Sequence, residues 1–142
     1  MRSITIILIL CFVAVFGDKP YEYSKIAKEC ITTLKLNEKE IRDLVPEVGE
    51  IPTDNEVVLK FFECCFRDFI NNNGRVVENK KFKDYIRSCF EIRMTNAKHS
   101  LVKLVAKDCI NQCKHIRGKS NGETGIKVMN CLKNKFQEYF EV

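Results

Sequence analysis

Apolar side chains recur along this chain at intervals of three and four residues. The first such stretch is residues 21–36, where Tyr23, Ile26, Ala27, Cys30, Ile31 and Leu34 share one helical face. Asn37, with Glu40 three residues later, marks the start of a short second helix that runs to Leu44 and stops before Pro46. A third helix is expected over residues 56–71, capped by Asp54 or Asn55. It is apolar round most of its circumference, through Val57, Val58, Leu59, Phe61, Phe62, Cys65, Phe66, Phe69 and Ile70, so it must be buried. Asn71-Asn72-Asn73-Gly74, residues that tolerate left-handed backbone, end it. The pattern predicts a fourth helix over 79–92 carrying Phe82, Tyr85, Ile86, Cys89 and Phe90. A fifth follows over 97–115, capped by Asn96, and a sixth runs from Ile126 to Phe140 after a glycine-rich loop over 118–125. No two segments alternate as paired strands would, so the expected class is all-α with about six helices.

The N-terminus reads differently. Met1-Arg2, the apolar run from Ile4 to Phe16, and small residues Val15 and Gly17 before Asp18 form the pattern of a cleaved signal peptide over residues 1–17. The run is shorter than the roughly 20 residues needed to span a bilayer, so no stable membrane insertion is expected. Residues 18–142 then make a single secreted, extracellular domain. Losing Arg2 with the leader lowers the net charge from +5 to +4. Charges of both signs alternate nearly everywhere, and the densest basic stretches, Lys80-Lys81-Phe82-Lys83 and residues 114–119, read as solvated helix faces. A nucleic-acid partner is therefore not expected.

Of eight cysteines, Cys11 lies in the leader, and Cys30, Cys64, Cys65, Cys89, Cys109, Cys113 and Cys131 follow it. In an oxidising compartment such thiols close as disulfides, and an odd number leaves at least one free or paired between chains. Cys109 and Cys113 are four apart and share a helix face; from it Cys109 can face the neighbouring helix, where a bond to Cys89 would close the hairpin between helices four and five. Cys64 stands about 100° round the helix from Cys65, which makes a bond between the two geometrically poor. It is either a buried free thiol or the link of a covalent homodimer.

Catalytic and metal chemistries find little support. The Cys64-Cys65 pair has a superficial likeness to secreted phospholipase A2 but lacks an adjoining His-Asp pair, and His99 and His115 read as surface residues. Cys109-x-x-x-Cys113-x-His115 has zinc-like donors, yet disulfide pairing is the stronger expectation in a secreted chain. Gly118-Lys119-Ser120 lacks the leading glycine and preceding strand of a phosphate loop. No enzyme activity, metal or cofactor is expected. What the chain has in quantity is aromatic apolar surface, with 10 phenylalanines and no tryptophan.

The spacing resembles the odorant- and pheromone-binding proteins of insects, the PBP/GOBP family. Their six cysteines pair first to third, second to fifth and fourth to sixth. Cys30 fits the first position, and Lys60-Phe61-Phe62-Glu63-Cys64-Cys65 looks like the family's Lys-Cys-Phe-x-x-Cys, with Phe61 in the second position and Cys65 in the third. Cys113, then Gly122-Glu123-Thr124, then Cys131 is similar to the fourth cysteine, the fifth in a Cys-Glu-Thr, and the sixth. The vacant second and fifth positions bond to each other in the family, so the chain resembles a reduced-cysteine variant. The resemblance implies Cys30–Cys65 and Cys113–Cys131 bridges and helices converging around an internal hydrophobic pocket. The implied function is a secreted carrier that reversibly binds and transports a small hydrophobic ligand: an odorant, a pheromone or a lipid-like molecule. Expected pocket residues are Ile26, Leu34, Phe62, Phe66, Phe69, Phe82, Ile86, Leu101, Val105, Met129, Leu132 and Phe136. Extra cysteines similar to these occur in related ant venom proteins. They suggest as an alternative a venom or salivary protein that sequesters a host mediator or acts as an allergen, for which a polar or charged group inside the pocket would speak. Residues 136–142 are either a pH-sensitive lid or a plain terminal helix.

Overall fold

A computed structural model describes residues 24–46, 49–94 and 96–140, apart from the side chain of Phe140; the expected leader lies outside them. Among the described residues there are six helices and no strands: α1 (Lys25–Thr33), α2 (Glu38–Leu44), α3 (Glu56–Cys65), α4 (Lys80–Arg93), α5 (His99–Cys113) and α6 (Asn121–Phe140). The disulfide-stapled all-α class is as expected. Several helix ends follow from side chains that satisfy otherwise orphaned backbone N–H groups. Asn37 accepts from Lys39 and Glu40, Asn55 from Val57 and Val58, and Asn79 from Phe82. Ser24 plays the same part for α1, accepting from Ala27. That helix closes in a Schellman turn: Leu36 N–H donates to Ile31 C=O and Lys35 N–H to Thr32 C=O, with Lys35 at φ 53° where glycine is the usual occupant.

Three ends differ from the sequence pattern. The third helix stops at Cys65, and the chain continues in tight turns to an antiparallel bridge between Ile70 and Val76. Asn71 directs this reversal, its side chain accepting from the N–H groups of Asn73 and Arg75. Phe66 and Phe69 thus enter the core from a turn. α5 begins at His99, behind Lys98, and Asn96 caps nothing. α6 begins at Asn121, five residues before Ile126, because Ser120 Oγ accepts from Glu123 N–H and Ser120 C=O from Thr124 N–H.

The early start places Gly122 and Gly125 inside a helix, where glycine ordinarily costs about 1 kcal/mol relative to alanine. Close packing on α3 is the reason. A Cβ on Gly122 would collide with the Leu59 carbonyl oxygen, and one on Gly125 would lie 3.0 Å from the Phe66 ring. Across this glycine face α3 and α6 make the most extensive helix contact in the molecule. The Glu-Thr that follows Gly122 caps the preceding loop: Thr124, buried, accepts from Gly118 N–H at 2.9 Å, and Glu123 accepts from Lys119 N–H.

Two disulfides hold the helices. Cys113–Cys131 joins α5 to α6 with Cα atoms 5.7 Å apart, as the resemblance implies. Cys30, however, bonds to Cys64, not Cys65, across 5.9 Å. Cys65 turns into the core beside Phe61 and Phe62, whereas Cys64, a step of about 100° away, is at the half-buried edge that α1 passes. Taking Cys64 as the third position moves the second, four residues earlier, from Phe61 to the exposed Lys60.

The expected Cys89–Cys109 bridge is not formed. Cys89 faces Cys65, Ser24 and Tyr85, while Cys109 lies near Glu138 and Lys135 of α6. Burial pushes all three free thiols upward, Cys65 to about 12 and Cys109 to about 11. Ellman titration of the chain without residues 1–17 should therefore find almost no reactive thiol in the native state and three in guanidinium. One thiol on unfolding would overturn the assignment.

Candidate ligand-binding site

The expected aromatic lining is divided by the fold. Phe66, Phe69, Phe82 and Tyr85 close on one another with ring centroids 5.2–6.3 Å apart, many of them edge to face, and leave no room for a guest. Phe66, Phe82 and Ile86 are fully buried, and Val105 packs beside them in the same core. These four predicted pocket residues, with Phe69 as a fifth, belong to the solid interior. Ile26 packs against the edge of the core. Leu34 and Leu101 are corrections of another kind, being 36% and 45% exposed. Leu101 precedes Val102, and the buried stripe of α5 runs through Val102, Val105, Ala106, Cys109, Ile110 and Cys113.

Open space lies between the end of α4 and the second half of α6. A pocket of about 230 Å³ is lined by Cys89, Phe90 and Arg93 from α4 and by Met129, Leu132, Lys133, Phe136 and Gln137 from α6. The α6 contributors step by three and four residues, a single helical face. Phe90 and Phe136 meet edge to face at 5.0 Å on its wall. A smaller cavity of about 40 Å³ shares Cys89, Arg93, Met129 and Lys133 with the first, and reaches Phe61, Phe62, Ser24, Ala27 and the α2–α3 loop at Val45, Pro46 and Ile51. Of the twelve predicted residues, Phe62, Met129, Leu132 and Phe136 line this space.

Two polar residues of α6 position the loop that walls the smaller cavity. Asn130 bonds both backbone groups of Ile51, accepting from its N–H at 2.8 Å and donating to its C=O at 3.0 Å. Lys133 Nζ donates to the carbonyls of Pro46 and Gly49. On α4, Arg93 Nη1 donates to the Cys89 carbonyl at 3.0 Å. Sequence reading missed Arg93, Asn130 and Lys133 because a cation or amide at helical spacing looks like an ordinary surface position until the loop it holds is known. A partial signal existed: Asn130 and Lys133 flank the apolar stripe of α6.

Residues 136–140 continue α6, with no break that would let them turn back as a lid; Glu141 and Val142 lie outside the described residues. Tyr139 donates its hydroxyl to Asp108 on α5, which also accepts from Gln112 at 3.0 Å. The Asp108 carboxylate holds the phenol protonated, raising it to about 12.

The remaining chemistry is structural. His99 and His115 are exposed; His99 lies 3.2 Å from Glu91. Cys113 is spent in a disulfide, which removes it from the zinc-like triplet, and no cluster of three or more metal-binding side chains occurs among the described residues. The basic stretch at the start of α4 is a solvated face: Lys80 pairs with Asp84 at 2.8 Å and Lys83 with Glu78 at 3.7 Å. Glu78 also accepts from Lys114 at 2.7 Å, and that hydrogen bond holds its carboxyl below the usual range. No described helix is long and apolar enough to cross a membrane.

The family model for the PBP/GOBP family, the insect odorant- and pheromone-binding proteins, matches residues 19–135. No match was found among curated proteins or among solved structures.

Proposed function

The chain belongs to the PBP/GOBP family, a family of carriers for small hydrophobic molecules, and on that premise we propose that it is a secreted carrier whose guest binds reversibly between α4 and α6. The observation that supports this reading is the apolar pocket of about 230 Å³ walled by Phe90, Met129, Leu132 and Phe136. It falls below the roughly 300–1,000 Å³ of sites for drug-sized ligands, which suits a short or partly protruding guest. A guest hiding about 250 Å² of apolar surface gains about 6 kcal/mol, equivalent to tens of micromolar before ordering costs. We also read the chain as a reduced-cysteine variant, with Gly122 in the fifth position.

The venom or salivary alternative asked for a polar or charged group inside the pocket. Arg93, Lys133 and Gln137 stand on its walls and supply the polar and charged groups that this second reading asks for.

An apolar naphthylamine fluorophore titrated into the secreted protein should show saturable binding. Met129→Trp, which fills the wall common to both cavities, should weaken it at least about tenfold. Absence of saturable binding in the native protein would sink the carrier reading.

A further inference from the structure

We propose that the groove between α4 and α5 is a second binding site, separate from the carrier pocket, that takes a compact soluble polyanion bearing phosphate or sulfate groups. The groove measures about 480 Å³, within the range of sites for small organic ligands. Lys80, Lys83 and Arg87 of α4 line one side of it, and Lys103 and Lys107 of α5 the other. Its only carboxylates among the described residues are Glu78 and Asp84, so the walls carry +3, most of the +5 of the whole sequence. Buried Ala106 and Ile110 complete the lining. No residue is shared with the pocket between α4 and α6.

The α4 side by itself is nearly balanced, which is why its lysines read as a solvated face. α5 brings to the groove Lys103 and Lys107, four residues apart on one helical face, and no acid. The two carboxylates are already engaged elsewhere. Glu78 accepts from Lys114 at 2.7 Å and lies 3.7 Å from Lys83, while Asp84 accepts from Lys80 at 2.8 Å and lies 3.2 Å from Arg87. Asp84 is also the carboxylate within electrostatic reach of Lys103, and Lys107 has no ion-pair partner among the described residues. Including Lys114 and Glu91, the outer partners of Glu78 and Arg87, leaves the balance at +3. The first turn of α4 holds no acid but starts with Lys80 and Lys81, at the helix end that itself carries partial positive charge. Like charges on facing walls of a concave site sum to a potential that concentrates counter-ions, and a bound polyanion relieves their mutual repulsion. The concave form suits a compact solute better than the flat headgroup surface of a membrane.

Calorimetric titration of the secreted protein with inorganic tripolyphosphate at pH 7.5 tests this, with phosphatidylglycerol vesicles as the comparison. Saturable binding of one tripolyphosphate per chain is expected in about 20 mM salt, weakening at least about tenfold in about 300 mM. The Lys103→Gln/Lys107→Gln double variant should bind at least about tenfold more weakly. Lys28→Gln/Lys39→Gln removes the same charge from exposed positions on α1 and α2 and should bind as the native protein does. Lys103→Arg/Lys107→Arg should retain binding, and unchanged circular dichroism melting shows that each variant is folded. Fluorophore affinity should be the same in all of them, so the fate of the carrier reading does not decide that of this site. No saturable binding of tripolyphosphate at low salt, or equal losses in the two glutamine double variants, would overturn the site. Binding to the vesicles without binding to tripolyphosphate would overturn the soluble ligand class.

Discussion

Replacing Phe66 by alanine should destabilise the protein by about 3–5 kcal/mol, the range typical of a large buried aromatic removed from a core. The ring is fully buried and meets those of Phe62, Phe69, Phe82 and Tyr85 at centroid distances of 5.9–6.3 Å. Gly125 lies directly against it, so α6 rests on this side chain without one of its own. Neighbouring rings held by further edge-to-face contacts cannot all move in to fill the space, and a cavity term adds to the lost transfer energy. Guanidinium unfolding should show a lower midpoint at unchanged slope. A loss below about 1 kcal/mol would mean that the ring is not the centre of the core.

The Cys30–Cys64 bond gives the second large effect. It closes a loop with a sequence separation of 34, for which the chain-entropy relation gives about 4 kcal/mol. Cys64→Ala should cost about that much. Cys65→Ala removes only a small buried thiol and should cost well under half as much. The pair of variants separates adjacent cysteines that peptide mapping resolves poorly. A silent Cys64→Ala together with a costly Cys65→Ala would restore the pairing that the family resemblance implies. Losing this tie also frees α1, whose Ser24 and Ala27 wall the smaller cavity, so fluorophore affinity should fall in the same variant that loses stability.

Helix formation is largely local, and the parts of the fold that depend on it were legible from residue order. Asn37, Asn55 and Asn79 cap the helices that their positions announce, because an amide oxygen two or three residues ahead of an N–H needs no distant partner. Features that depend on what lies opposite were not legible. Ser120 caps the helix that contains Gly122 and Gly125, but only the Leu59 carbonyl and the Phe66 ring opposite explain why glycine stands at those two positions. Nothing local distinguishes Phe66, enclosed by four rings, from Phe136, which faces open space, since both occupy apolar helix-like spacing.

Sequence alone determined the all-α class and the helix order, because period and caps are written in neighbouring residues, while the Cys113–Cys131 bridge followed from the family resemblance. Tertiary structure decided which member of the Cys64-Cys65 pair faces α1, where the aromatic rings leave a void, and that Arg93 and Lys133 share its wall. Each of those depends on how one helix is rotated against another. A rotation of one residue exchanges a core face for an edge, and the identity of the side chains across the gap selects it.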